Sequence, residues 1–238
     1  MKKAIIVWMR KQIRQAGAAG IVIGLSGGID SSVVACLAKE AAGKNRVLGL
    51  LLPCHSQKED LEDAKLLARK LGIRTKMVGL TDIYDNFLEV LPAAGNMAKA
   101  NLKPRLRMLV LYYFANKLNY LVCGTGNKSE INLGYFTKHG DGAADILPIG
   151  DLLKKEVREL AEELGIPRRI IAKPPTAGLW PGQTDEGEMG ITYPELDDIL
   201  ERMESKKKQV LSEEKVNKVK SMMQGSAHKR EGPRICYV

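Results

Sequence analysis

In the first half of the chain, short apolar runs alternate with segments in which apolar residues recur every three or four positions. The apolar runs predict strands at 21–25, 47–52, 74–78 and 120–123. The periodic segments between them predict helices at 32–42, 58–70, 82–91 and 98–117. This alternation is typical of a doubly wound, mostly parallel α/β sheet with helices on both faces. Ligands of such sheets bind at the carboxyl ends of the strands.

The remainder of the sequence predicts mainly helices and loops. Apolar residues at helical spacing predict an amphipathic opening helix that ends near Gly17 and covers the core. Its apolar positions are Ile5, Trp8, Met9, Ile13 and Ala16. Further helices are predicted at 151–164, 193–204 and 212–223. The segment 173–190 is rich in Pro, Gly, Thr and acids, and it is predicted to form a long loop that orders on ligand binding. Because no repeat or low-complexity linker interrupts the sequence, we expect one domain over residues 1–238.

The first strand runs directly into the glycine-rich sequence Gly-Leu-Ser-Gly-Gly-Ile-Asp-Ser-Ser at 24–32. Serine hydroxyls and the unpaired N–H groups at the start of the next helix predict an anion cradle there. We expect Gly27 and Gly28 to allow positive φ and the close approach of a phosphate. A Walker A loop needs a lysine after its glycines, and no lysine follows them here. A Rossmann loop has one residue between its first two glycines, whereas Gly27 and Gly28 are adjacent, so neither pattern fits.

Asp30 puts a negative charge where phosphate oxygens are expected. Like charges a few ångströms apart repel strongly in a site of low effective dielectric, and a divalent cation between them removes the conflict. Mg²⁺ usually takes one or two carboxylates plus phosphates and waters. Glu130, shortly after the fourth strand, is the predicted second ligand, and a solvated loop acid is its alternative role.

Charge and composition narrow the possible functions. The chain has 37 Lys and Arg against 28 Asp and Glu, a formal net charge of +9 that attracts phosphate-rich ligands. Aromatic residues make up only 5% and no basic stretch is interleaved with them, so we expect no nucleic-acid partner. The four cysteines are far apart and predict reduced thiols. Without a recognisable export signal or a membrane-length apolar run, we expect a cytoplasmic protein with no membrane partner.

The Ser-Gly-Gly-x-Asp-Ser sequence after a strand resembles the pyrophosphate loop of the N-type ATP pyrophosphatases. Other segments make nearly the whole chain similar to the ammonia-dependent NAD synthetases of that superfamily. The segments that carry this similarity are residues 133–148, which contain the Phe-Thr-Lys and Gly-Asp sequences, together with Lys154 and residues 174–180, 185–194 and 228–230. The phosphate loop alone indicates only the superfamily, whereas the Phe-Thr-Lys and Asp-Glu segments select the synthetases.

This resemblance implies an ATP-dependent amidation of deamido-NAD. The nicotinate carboxylate would attack the α-phosphorus of ATP, giving an acyl adenylate and pyrophosphate, and ammonia would then displace AMP. The resemblance also implies Mg²⁺, ATP as co-substrate and a homodimer, with the helix at 98–117 and the opening helix as candidate contact surfaces. Since the synthetase portion accounts for all 238 residues, free ammonia is the expected nitrogen donor.

The resemblance further implies the site residues. Those that contact ATP are Gly24, Leu25, Ser26, Gly27, Gly28, Ile29, Asp30, Ser31, Thr125, Lys154 and Thr176. Those that bind deamido-NAD are Arg105, Lys138, Asp141, His228 and Lys229, and the metal ligands are Asp30 and Glu130. Asp141 is also the hypothetical acceptor of a proton from ammonium, although a loop aspartate is commonly a turn former.

Other roles for some of these residues, and other functions for the protein, remain open at this point. Arg105 and Lys154 could be solvated helix charges, and His228 with Lys229 could be a frayed basic tail. An ATP pyrophosphatase that thiolates or amidates tRNA is the first alternative function, but neither a tRNA-binding appendage nor a catalytic cysteine pair is evident. A non-catalytic nucleotide-binding module is the second, and it would have no need of a metal site for a leaving group.

Overall fold

The computed structural model describes residues 1–180, 182–205 and 212–236. Within them, four parallel strands form one sheet in the order β3-β2-β1-β4. The strands are β1 (Gly20–Gly24), β2 (Val47–Leu51), β3 (Arg74–Met77) and β4 (Tyr120–Val122). A parallel bridge between Cys123 and Ile146 continues the pairing beyond β4. The predicted doubly wound parallel α/β fold is confirmed.

Helices precede, connect and follow these strands. Those of the first half are α1 (Lys2–Gln15), α2 (Ile29–Ala42), α3 (Lys58–Leu71), α4 (Thr81–Val90), α5 (Asn96–Ala100) and α6 (Leu102–Leu118). Those of the second half are α7 (Lys128–Leu133), α8 (Lys154–Glu163), α9 (Arg168–Ile171), α10 (Asp185–Met189), α11 (Tyr193–Ser205), α12 (Glu213–Gly225) and α13 (Ala227–Arg230). A short 3₁₀ turn at Lys44–Arg46 leads into β2.

Two hydrophobic clusters cover the opposite faces of the sheet. Helices α1, α2, α3 and α8 contribute to one cluster, and α4 and α6 to the other. Ile21 and Ile23 of β1 point into the first cluster and Val22 into the second, because successive side chains of a strand alternate between its faces. Burial on both faces explains why β1 is apolar without interruption.

A third cluster joins the second half of the chain to this sheet. Buried residues of α7, α10, α11 and α12 form it, among them Leu133, Met189, Tyr193, Leu196 and Val219. It fixes the start of α10 and the start of α11 next to α7. The polar residues at these helix starts therefore lie close to the carboxyl end of the sheet.

The predicted elements differ from the observed ones in several places, and the short helices α9 and α13 were not predicted. The helix predicted at 98–117 is divided, since α5 ends before α6 begins at Leu102. Helix α7 was not predicted, and α10 lies inside the predicted loop at 173–190, of which residue 181 is outside the described residues. In α1, Met9 and Ile13 are buried but Trp8 and Ala16 are exposed, because the face that contacts α2 is narrower than the apolar pattern.

Cys36, Cys54 and Cys123 are buried free thiols and Cys236 is an exposed one, as the sequence predicted. Burial raises the pKa of the Cys36 thiol to about 11, which keeps it protonated and unreactive at neutral pH. Among the described residues, no helix combines the length and the apolar character needed to cross a bilayer.

Candidate active site

The loops after β1 and β4 meet at one edge of the sheet. The strand order reverses between these two strands, because β2 and β3 lie on one side of β1 and β4 lies on the other. Open α/β sheets bind their ligands in the crevice that forms at such a point. The glycine-rich loop at 24–28 and the segment at 123–127 form the two sides of this crevice.

The glycine-rich loop is held in shape by its own serines. Ser31 Oγ donates to the Gly28 carbonyl oxygen at 3.0 Å, and the Gly28 N–H donates to Ser26 Oγ at 3.2 Å. Gly27 has φ +83°, and a Cβ there would collide with the Asp60 carbonyl oxygen. The expectation of positive φ at Gly28 is wrong: its φ is −87°, because it is the N-cap of α2 and has extended backbone. The first turn of α2 thus directs its N–H groups toward the crevice.

The charge on Asp30 is balanced by a lysine of the protein. Lys154 Nζ lies 2.6 Å from Asp30 Oδ2 and 3.2 Å from Glu130 Oε1, and its side chain is only 2% exposed. Asn127 Nδ2 donates to the other oxygen of Asp30 at 2.9 Å. Burial opposes the charge on Lys154, but the two carboxylates outweigh it and raise the pKa of the ammonium group. Lys154 is therefore not a solvated helix charge.

Glu130 is fixed by the local structure of α7. The Asn127 side chain accepts the Glu130 N–H at 3.0 Å and Glu130 Oε2 accepts the Asn127 N–H at 3.3 Å, which is a capping box. Glu130 Oε1 also accepts from the Tyr193 hydroxyl at 3.4 Å. Burial raises the pKa of Glu130 to about 7, with Lys154 opposing this rise and Asp30 adding to it. Glu130 is thus a partly buried, paired acid rather than a solvated one.

These donors fit a magnesium ion only together with a ligand. Among the described residues, no three His, Cys, Asp or Glu side chains lie close enough to hold a metal by themselves. Asp30 and Glu130 supply two carboxylates, which is what Mg²⁺ commonly takes from a protein when phosphates and waters complete its shell. Both acids also contact Lys154, so a metal would share their oxygens with this ammonium group or displace it.

A cavity of about 620 Å³ opens over this cluster. Its walls come from the ends of β1, β2 and β4, from α6, and from the segments 134–143, 173–179 and 183–188. Among the predicted site residues, those that line it are Gly24, Leu25, Ser26, Gly28, Ile29, Asp30, Ser31, Thr125, Glu130, Asp141, Lys154, Thr176 and Lys229. Its volume lies within the range of roughly 300 to 1,000 Å³ that is typical of small-molecule sites.

Three predicted residues outside the cavity wall form a small network beside it. Arg105 Nη2 donates to the Lys138 carbonyl oxygen at 3.4 Å, and Lys138 Nζ donates to the His228 carbonyl oxygen. Lys229 Nζ, within the wall, donates to the carbonyl oxygens of Gly134 at 2.7 Å and Phe136 at 2.9 Å. These bonds dock α13 on the segment at 134–138. The pair His228 and Lys229 is therefore not a frayed tail.

Asp141 both closes a turn and faces the cavity. Its Oδ1 accepts the Thr137 N–H at 2.9 Å, which is the role of a turn former. The residue is exposed at the cavity wall. The protein atoms packed around its carboxyl group nevertheless raise the pKa of Asp141 by desolvation, against the opposing effect of the hydrogen bond from Thr137.

Several side chains that meet here had no predicted role in the site. Lys173 Nζ contacts Asp60 at 2.9 Å and Asp63 at 2.6 Å, joining the segment at 173–179 to α3. Asn127 and Tyr193 hold the Asp30 and Glu130 carboxylates as described above. Asn127 could have been found from the Asn-x-x-Glu spacing of a capping box. The other contacts join distant parts of the chain and leave no local signal.

Comparisons with known proteins agree with this geometry. The NAD synthase family model matches residues 1–233. The NH(3)-dependent NAD(+) synthetase of Archaeoglobus fulgidus is 49% identical over 233 residues, covering 97% of this chain and 94% of the relative. The structure of an NMN synthetase from Francisella tularensis superposes with a TM-score of 0.92 at 40% identity, over 100% of this chain and 97% of the other. The NH3-dependent NAD synthetase of Campylobacter jejuni gives a TM-score of 0.86 at 32% identity, over 99% and 97%.

Proposed function

The chain belongs to the NAD synthase family, and on that premise we propose that it converts deamido-NAD (nicotinic acid adenine dinucleotide) into NAD with ATP and ammonia. It is an enzyme of NAD biosynthesis, a carbon–nitrogen ligase that uses ATP as co-substrate. The observation that carries this function is its similarity, over nearly the full length, to NH(3)-dependent NAD(+) synthetases.

In the first step we propose that the phosphates of ATP bind at the residues 24–31 and the start of α2. A nicotinate oxygen bonds to the α-phosphorus, the bond from phosphorus to the bridging oxygen breaks, and pyrophosphate leaves with the electron pair. Oriented N–H groups and the hydroxyls of Ser26 and Ser31 stabilise the charge that develops on the phosphates. Thr125, Lys154 and Thr176 are the further proposed ATP contacts. Asp30 and Glu130 would hold Mg²⁺, which when bound would neutralise charge on the departing pyrophosphate.

In the second step ammonia attacks the acyl carbon of the adenylate and AMP departs. We propose that Asp141 takes a proton from ammonium, since a carboxylate whose pKa is raised is a better base near neutral pH. Arg105, Lys138, His228 and Lys229 are the proposed contacts of deamido-NAD, and their cluster beside the cavity supplies positive charge for its phosphates.

A second candidate substrate is the corresponding mononucleotide. The likeness to a structure described as an NMN synthetase favours it. Nicotinate mononucleotide carries the same reacting carboxylate and lacks only the adenylate half of the dinucleotide. The two substrates would therefore undergo the same chemistry in the same cavity, and relative kcat/KM decides between them.

The test is a product assay with the purified protein, ATP, Mg²⁺, ammonium and either deamido-NAD or nicotinate mononucleotide. We expect NAD, AMP and pyrophosphate in equal amounts, with a higher kcat/KM for the dinucleotide. Glutamine in place of ammonium is expected to give no product. Release of orthophosphate and ADP would refute the reaction, adenylation of added tRNA would favour the tRNA-modifying alternative, and a preference for the mononucleotide would establish the second candidate.

We further propose that the enzyme is a homodimer that uses the outer face of α6. Leu109 and Tyr113 of this helix are 58% and 61% exposed, although its inner face already packs on the sheet. Residues 108–115 of this helix are all apolar, and a helical stretch that is apolar on all sides is usually buried on all sides. Val90 of α4 extends the exposed apolar surface, and Trp8 of α1 is the second candidate contact. Light scattering is expected to give a dimer, and a monomeric Leu109→Asp variant would support this face.

We propose a cytoplasmic location for the enzyme. The free thiols of Cys36, Cys54 and Cys123 suit a reducing compartment. Its nucleotide substrates are also most abundant where ATP is produced and consumed.

A further inference from the structure

A second buried carboxylate lies in the cavity wall and has an oxygen with no partner. Asp185 is 5% exposed, and its Oδ2 accepts the Tyr193 hydroxyl at 3.0 Å. Among the described residues, no donor meets the distance and angle of a hydrogen bond to its Oδ1, although the Tyr135 hydroxyl and the Ala177 N–H lie near the carboxyl group. Buried polar atoms are nearly always hydrogen-bonded, and an exception calls for an explanation such as a ligand. Asp185 is one of the residues that line the cavity, although its Oδ1 is covered by protein atoms, so a ligand that binds this oxygen must displace a covering group.

The position of Asp185 is fixed by its neighbours. It is the first residue of α10, and its N–H donates to the Pro175 carbonyl oxygen at 3.1 Å. The Thr184 side chain caps the same helix by accepting the Gly187 N–H. Tyr193, which holds Oδ2, is itself only 1% exposed. The unpaired oxygen is thus preorganised, and ligand binding need not order it.

The surroundings of Asp185 favour a small cation over an anion. Glu130 and Glu188 line the same cavity, and the Tyr135 hydroxyl donates to Glu188 Oε2 at 2.7 Å. Lys154 is the cation near Asp185, but its charge is already shared between Asp30 and Glu130. A phosphate or carboxylate group at Asp185 would meet negative charge, whereas a positively charged hydrogen-bond donor would satisfy Oδ1.

We propose that Asp185 Oδ1 binds the ammonium ion that the amidation consumes. This assignment rests on the proposed function. Ammonium is the main form of ammonia at neutral pH, and its N–H groups can donate to Oδ1 and to neighbouring acceptors. The site therefore holds the nitrogen donor in the same cavity as the adenylate.

Asp185 acts here by binding and positioning, and it forms no covalent bond. Bound ammonium first loses one proton, which Asp141 accepts, and the resulting ammonia bonds through its lone pair to the acyl carbon. The bond from this carbon to the AMP oxygen then breaks, and AMP leaves with the electron pair. The added nitrogen loses a second proton to solvent, which leaves the neutral amide.

The test compares the wild type with Asp185→Asn in two assays. In the first, ammonium is varied at saturating ATP and deamido-NAD. We expect the KM for ammonium to rise about 10- to 100-fold, the factor that corresponds to losing one hydrogen bond to a charged group. The second assay measures exchange of labelled pyrophosphate into ATP with deamido-NAD and without ammonium. Its rate is expected to stay unchanged, because adenylation does not use the ammonium site.

Two further variants keep the test independent of folding defects. Asp198→Asn removes the same charge from an exposed position of α11 and is expected to keep the wild-type KM for ammonium. If Asp185→Asn does not fold, Asp185→Glu serves instead, because it keeps the buried charge and moves the carboxylate oxygens away from the position of Oδ1. This variant is expected to raise the KM for ammonium and to retain the pyrophosphate exchange.

Each other outcome would overturn the assignment. An unchanged KM for ammonium in Asp185→Asn would exclude ammonium binding at this carboxylate. An equal loss of pyrophosphate exchange, or a shifted Mg²⁺ requirement of that exchange, would place Asp185 in the ATP or metal site. A wild-type protein that forms no NAD would instead refute the proposed function, and that result is visible before any variant is tested.

Discussion

Replacing Lys154 by methionine is expected to destabilise the protein in a way that depends on pH and on Mg²⁺. Lys154 is almost fully buried, and its ammonium group contacts the carboxylates of both Asp30 and Glu130. Methionine has a similar length and suits the buried position, so the main loss is the positive charge. The two carboxylates would then face one another without a cation between them.

The size of this effect follows from the burial of the cluster. Removing one partner of a buried ion pair typically costs about 3 to 5 kcal/mol, because the other charge is left unpaired. For a chain of this size, each kcal/mol shifts the Tm by about 2 to 4 °C, so the Tm should fall by roughly 6 to 20 °C. Glu130 can relieve the repulsion by taking up a proton, since its pKa is already raised to about 7. The loss should therefore be larger at pH 8 than at pH 6.

Thermal unfolding at both pH values, with EDTA and with Mg²⁺, measures these effects. Mg²⁺ at about 100 times its Kd stabilises a folded protein by about 2.7 kcal/mol, and it should stabilise Lys154→Met more than the wild type because its site is no longer shared. Lys155→Met is the matched control: this neighbour is 41% exposed, and its pair with Glu201 lies at the surface. A Lys154→Met variant that melts like this control at pH 8, or an equal Mg²⁺ effect in both proteins, would refute the reasoning.

Three further predictions concern other positions of the site. Asp141→Asn should slow amide formation more than pyrophosphate exchange, and an equal loss in both assays would contradict its role as proton acceptor. Gly27→Ala should lower both the Tm and the affinity for ATP measured by calorimetry, because φ +83° disfavours alanine and its Cβ meets the Asp60 carbonyl oxygen. Glu130 ionises at its ordinary pKa of 4.5 when unfolded and at about 7 when folded, so stability should fall by roughly 3 kcal/mol as the pH rises between these values. Urea unfolding at pH 4.5 and 8 should show this fall in the wild type and not in Glu130→Gln, and parallel profiles would argue against it.

Much of the fold could be predicted because it depends on local patterns. Ile21, Val22 and Ile23 form an uninterrupted apolar run, and burial on both faces of a parallel sheet requires such a run. The glycines and serines at 24–32 similarly predict the cradle, because loop conformation and helix start are local properties. The local prediction of positive φ at both glycines was right only for Gly27, whose φ is +83°, because Gly28 is the extended N-cap of α2.

The partners of the buried charges were decided by the tertiary structure alone. Asp30 and Lys154 are 124 positions apart, and no spacing rule connects them. Asp185 was assigned to a loop, and its burial became evident only once α10 and α11 packed beside α7. The sequence thus determined the sheet, the phosphate loop and the family, because each of these depends on residues that are contiguous in the chain. Only the packed chain determined which charges are neutralised and which oxygen is left for a ligand, because burial and pairing depend on helix ends that meet in space.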